Sequence, residues 1–192
     1  MTKIVIAEDE AIIRLDLREL LEEEGYQVVG EAGRGDQAVT LAEQLRPDVV
    51  ILDVKMPGMD GIEAAKQICA QGHSAVLMLT AFSQREIVEQ ARDAGALAYL
   101  VKPFQKSDLV PAIELASARF AETRALVAEV GELQERLEAR KILDRAKGML
   151  ADQHGMKEAE AFHFIQRSAM SARSTMRAVA EQILKGDIVP AS

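Results

Sequence analysis

Four short apolar runs, each ending in a polar residue able to do chemistry, constrain this chain more than any other feature. Ile4-Val5-Ile6-Ala7 runs into Glu8-Asp9, and Val49-Val50-Ile51-Leu52 runs into Asp53. Val76-Leu77-Met78-Leu79 ends at Thr80, and Leu97-Ala98-Tyr99-Leu100-Val101 ends at Lys102-Pro103. Uninterrupted apolar runs of this length, separated by helical stretches, predict strands of a parallel sheet covered on both faces. In such a sheet all strands present their carboxyl ends along one edge, where ligands bind at the point of reversed strand order. Three carboxylates, a hydroxyl and an ammonium are therefore expected together at one edge.

That mixture suits a metal and a phosphoryl group. A hard divalent cation such as Mg2+ takes oxygen ligands, usually a few carboxylates with waters and phosphate oxygens. Carboxylates this close repel one another, which favours uptake of a cation. With that charge offset, one carboxylate is able to attack phosphorus, as in aspartyl-phosphate enzymes. The transfer is then mostly positioning and charge stabilisation, with Lys102 and the Thr80 hydroxyl as donors to phosphoryl oxygens. A lone acid after a strand is most often a polar strand end. Four such ends in succession are a site.

The stretches IAEDE (6–10), ILDVKMPGMDG (51–61), LMLTAF (77–82) and YLVKPF (99–104) resemble the receiver domain of bacterial two-component response regulators. The resemblance covers residues 1–120 and implies an α/β fold, a five-stranded doubly wound parallel sheet of flavodoxin-like order 2-1-3-4-5. It implies that Asp53 accepts a phosphoryl group from a phosphohistidine of a sensor kinase. It further implies that Asp9, Asp53 and the Lys55 carbonyl hold Mg2+, with Glu8 acting through water. Thr80 and Tyr99 match the family's switch pair, Lys102-Pro103 its cis peptide, and Met56-Pro57-Gly58 the turn beside the acceptor.

Composition agrees with a compact regulator. At 192 residues and 48 % hydrophobic content the chain has room for one full domain and one small one. The single cysteine, Cys69, excludes an intramolecular disulfide and fits a reducing compartment. The start MTKIVIAEDE enters a strand directly, and no stretch approaches a membrane span, so a cytoplasmic protein is expected. The net charge of −8 is unevenly spread. Residues 1–119 hold 12 Lys/Arg against 20 Asp/Glu, residues 120–139 hold 2 against 5, and residues 140–192 hold 9 against 6. An anionic partner would meet the tail, although a solvated helix surface explains the same charges.

Between Ser107 and Gln153 the only proline is Pro111, expected in the first turn of a helix, and good helix formers dominate. Leu126, Val130, Leu133 and Leu137 alternate steps of four and three, the pattern of a coiled-coil seam. A helical linker over 121–140 is expected, either forming a homodimer seam or packing on its own chain. Residues 141–192 predict three short helices, the third capped by Ser174. Their small core would draw on Leu143, Ala146, Leu150, Ala161, Phe162, Ile165, Ala169, Met176, Val179, Ala180 and Ile183. His154 and His163 are isolated, and the tail holds no nucleophile–base pair, so no enzymatic output is expected.

Residues 141–184 resemble the ANTAR module, a three-helix RNA-binding output domain of bacterial transcription antiterminators. The matching residues are Ala146-Lys147-Gly148-Met149-Leu150, Glu158 to Ala161, Ala169-Met170 and Val179-Ala180. Lys141 and Gln166 depart from that family, which often has arginine there. The order of the two modules resembles the actinobacterial phosphorylation-dependent antitermination regulators. It implies antitermination through RNA hairpins. Phosphorylation is expected to align the seam into a homodimer, and the tail's positive residues Arg145, Lys147, Arg167, Arg173 and Arg177 are the candidate contacts, Lys147 and Arg167 foremost. Two other outputs fit three short helices: a DNA-binding helix-turn-helix, whose third helix would present Ser174, Thr175 and Arg177, and a protein-interaction module.

Overall fold

The structure, a computed structural model, describes residues 1–81 and 85–190. Two compact units emerge, Met1–Arg124 and Ala125 onward.

The first unit is a parallel sheet of order β2-β1-β3-β4-β5. Its strands are β1 (Lys3–Ala7), β2 (Gln27–Ala32), β3 (Val49–Asp53), β4 (Ala75–Thr80) and β5 (Ala98–Val101). Helices α1 (Ala11–Glu23), α2 (Gly35–Leu45), α3 (Gly61–Gln71) and α4 (Arg85–Asp93) connect them. Alternate strand residues point to opposite faces, and both faces are covered. Val5, Val50, Val76 and Met78 enter one core with α2 and α3, whereas Ile4, Ile6, Ile51 and Leu77 enter another with Leu17 and Leu21 of α1. Double coverage explains why these strands are apolar at every position. β2 has no such run because it is an edge strand, with Gln27 and Glu31 exposed.

Helix α5 runs from Lys106 to His154. Leu109, Ile113 and Ala116 near its start belong to the core of the first unit. Because the helix begins at Lys106, Pro111 lies in its second turn rather than its first. There the ring removes one intrahelical hydrogen bond.

The second unit continues with α6 (Glu158–Ser171) and α7 (Met176–Lys185). Ala146, Leu150, Ala161, Ile165, Ala169, Val179, Ala180 and Ile183 form its core as expected. Two expectations are corrected. Phe162 is 41 % exposed, and Phe164 packs against the core in its place. The cap of α7 is Thr175, whose Oγ1 accepts the Ala178 amide at 3.2 Å. Ser174 is committed to the previous helix. Arg173 takes a left-handed φ of 48°, its amide donates to Met170 O, and the Ser174 amide donates to Ala169 O. This pair of bonds closes α6 and leaves the next residue to open α7. No described helix is long and apolar enough to cross a membrane.

Candidate phosphoacceptor site and exposed cations

The strand ends converge as the apolar runs predict. Glu8 is fully buried, Asp53 is 6 % exposed and Thr80 2 %, while Asp9 lies open to solvent. One ligand oxygen from each of Glu8, Asp9 and Asp53 falls within 4.8 Å of the others. Lys102 Nζ lies 2.5 Å from Glu8 Oε2 and 3.3 Å from Asp53 Oδ1. Burial pushes both the Glu8 and Asp53 carboxyls above the ordinary range, with Lys102 pulling each back. Lys102 by itself does not offset three carboxylates. The donor set fits a hard cation.

The backbone around Asp53 is fixed from several sides. The Val54 amide donates to Leu79 O, and the Gly61 amide donates to Val54 O, both at 2.9 Å. A Cβ on Gly61 would stand 1.9 Å from the Asp53 carbonyl oxygen, so α3 reaches β3 this closely only with glycine there. Asp60 caps α3 by accepting the Glu63 amide at 2.8 Å. Gly58 turns the loop with φ 79°. Lys55 is exposed and, with Asp9, Met56 and Asp60, lines an open cleft of about 620 Å3. The Lys102 amide donates to Thr80 O at 2.7 Å, and Lys102-Pro103 is cis. Tyr99 is 51 % exposed in β5, paired with Met78 of β4. Phe82, at the end of the third matching stretch, lies outside the described residues.

Arg14 adds a contact that no motif signals. Its Nη1 donates to the Glu8 carbonyl at 2.6 Å, and its Nε lies 3.4 Å from Glu31 of β2. It thereby ties the corner between Glu8 and Asp9 to the sheet edge. The only trace in the sequence is an arginine one helical turn beyond Glu10.

The candidate cations of the second unit divide into two groups. Lys147 Nζ lies 2.8 Å from Asp144 and 3.0 Å from Glu158, and Arg177 lies 3.0 Å from Glu181. Arg145, Arg167 and Arg173 have no carboxylate within 4.0 Å among the described residues. The coiled-coil candidates stand open: Leu126, Val130, Leu133 and Leu137 are 52 to 56 % exposed.

Residues 4–114 match the response regulator receiver domain family, and residues 131–184 match the ANTAR domain family. The chain is 60 % identical over 183 residues to the transcriptional regulatory protein PdtaR of Mycobacterium tuberculosis, covering 95 % of this chain and 89 % of that one. The chemotaxis protein CheY of Thermotoga maritima is 38 % identical over 116 residues, 60 % of this chain and 97 % of its own length. Among solved structures, the signal receiver domain of NarL from Mycobacterium tuberculosis superposes with a TM-score of 0.59 at 32 % identity. It covers 61 % of this chain and 96 % of that one. Sheet order, acidic cluster and both family matches agree, and the chain belongs to the two-component response regulators that join a receiver domain to an ANTAR domain.

Proposed function

We propose that this protein is phosphorylated on Asp53 by a sensor histidine kinase and then binds RNA hairpins to antiterminate transcription. The observation that carries the first half is the buried Asp53 carboxylate, held 3.3 Å from Lys102 beside Glu8 and Asp9. An Asp53 oxygen attacks phosphorus, the histidine N–P bond breaks, and the imidazole leaves with that electron pair. Asp9, Asp53 and the Lys55 carbonyl would hold Mg2+, with Glu8 acting through water. The ion would supply charge stabilisation for the transferring group. Lys102 exchanges a carboxylate partner for a phosphoryl oxygen, and Thr80 donates to another. Movement of Thr80 and Tyr99 then carries the local charge change outward as a shift between two states.

The output reading rests on the ANTAR match and on the basic balance of residues 140–192. Phosphorylation would bring two chains together through Leu126, Val130, Leu133 and Leu137, whose apolar surface is uncovered. Arg145, Arg167 and Arg173 are the strongest RNA contacts on this reading, because Lys147 and Arg177 are already engaged by acids. The same pairing weakens the DNA alternative. Thr175 is spent as a helix cap and Arg177 is held by Glu181, so a third helix has fewer groups left to read bases. A kinase partner and the lone free thiol, Cys69, support a cytoplasmic setting.

The test is transfer of labelled phosphate from a phosphohistidine kinase in Mg2+, followed by binding to hairpin RNA, duplex DNA and neither. Labelled Asp53 with selective retention of hairpin RNA is expected. Retention of duplex DNA alone, or of neither nucleic acid, would replace the output reading.

A further inference from the structure

Burial holds Glu8 and Asp53 in place, but it does not hold Asp9. Asp9 is exposed and sits on the corner between β1 and α1, belonging to neither. A metal ligand on such a corner keeps its aim only if the backbone beneath it is fixed. Two bonds fix that backbone. The Glu8 amide donates to Ala32 O at 3.0 Å, and Arg14 Nη1 donates to the Glu8 carbonyl at 2.6 Å. Arg14 lies in the first turn of α1, where side chains lean back towards the helix start. The carbonyl it grips shares a planar peptide unit with the Asp9 amide, so the guanidinium sets the plane from which Asp9 projects.

By charge alone a guanidinium beside a divalent cation's site opposes the ion. Here an offset is built in. Arg14 Nε lies 3.4 Å from Glu31, Arg18 lies 2.9 Å from the same carboxylate, and Glu22 lies 2.9 Å from Arg18. Two guanidinium groups against two carboxylates add no net charge beside the acids. The Arg14 fork serves both ends at once, the carbonyl through Nη1 and Glu31 through Nε. A lysine ammonium is a single point of charge and cannot span the two.

We propose, resting on the Mg2+ reading above, that Arg14 is a positioning residue for the metal. It aims Asp9 by fixing the Glu8–Asp9 peptide, and Glu31 cancels the charge that would otherwise oppose the ion.

The test titrates the full chain with Mg2+ alone, by calorimetry at a temperature where every variant is folded. Arg14→Gln removes both the charge and the fork, whereas Arg14→Lys keeps the charge and removes the fork. Both should weaken Mg2+ binding on the order of tenfold, the lower end of what outer partners of a metal ligand contribute. Phosphate incorporation from a phosphohistidine donor should fall in both at low Mg2+ and recover the wild-type rate when Mg2+ is raised by the same factor. If Arg14 acts only as a nearby charge, Arg14→Gln will bind Mg2+ more tightly and Arg14→Lys as wild type does, which would overturn the positioning role. If it serves the fold alone, both variants will unfold at lower temperature with Mg2+ affinity unchanged, which would overturn it equally. Either result leaves the metal reading intact. A wild type that binds no Mg2+, or wild-type affinity in Asp9→Asn, would overturn that reading and this proposal with it.

Discussion

The receiver site and the candidate RNA contacts of the second unit place their functional groups in opposite environments. Among the described residues of the first unit, three of the four buried polar or charged residues, Glu8, Asp53 and Thr80, belong to the candidate phosphoacceptor site. Burying carboxylates costs several kcal/mol apiece unless something offsets it, so a buried acid cluster marks a site by its expense. In the second unit the core is wholly apolar among the described residues, and every candidate contact except the partly buried Lys147 is exposed, where a charge costs little. There exposure sets only Lys147 apart, its side chain 19 % exposed. What further separates Arg167 from Lys147 is whether an acid already holds it.

The largest effect expected on this contrast falls on Asp53. Asp53→Asn should reduce labelling from a phosphohistidine donor to background, and chelation of divalent cations should do the same to wild type. Both are read by phosphate incorporation, and full labelling of the variant would move the acceptor elsewhere. Next comes the open seam. Burying a large apolar side chain stabilises by roughly 1.5–3 kcal/mol, so Leu133→Glu should weaken self-association of the phosphorylated protein by about one to two orders of magnitude. Sedimentation should find it monomeric yet normally phosphorylated, and an unchanged dimer would place the interface elsewhere.

Smaller effects test the surface side of the comparison. Arg167→Ala should lower the slope of hairpin affinity against salt by about 0.7, one lost single-strand phosphate contact. Lys147→Ala should change it less, because Asp144 and Glu158 already engage that ammonium. Equal slopes for the two variants would show that pairing does not sort these cations. The smallest effect is a pH dependence remote from either site. Burial and the hydrogen bond to Glu114 push the Tyr26 phenol up from 10.0 to about 12. A folded-state value above the unfolded one contributes stability that is complete below pH 10 and lost as pH rises towards 12. Urea unfolding of Tyr26→Phe should therefore show a flatter decline than wild type across that window.

Legibility in the sequence follows the same division. β1, β3 and β4 announce themselves because burial on both faces demands unbroken apolar runs, and each run delivers its polar terminus to the shared edge. β2, at the sheet edge with Gln27 and Glu31 exposed, carries no such signal. Arg14 carries no sequence signal because its target is a backbone carbonyl, which no side-chain motif encodes. In the tail, Phe162 and Phe164 lie close enough in sequence that the apolar stripe alone did not decide which turns inward. Ser174 and Thr175 are equally good caps by type. The choice was made by the Ser174 amide, already used to close α6.

The most direct test of the account is recovery of RNA crosslinked in cells to the wild-type protein and to Asp53→Asn at equal abundance. If phosphorylation of the buried carboxylate controls RNA binding by the second unit, wild type should yield a set of transcripts enriched in hairpins, and the variant should lose them. The same hairpins recovered equally from both proteins would contradict the coupling between the two units on which the account depends.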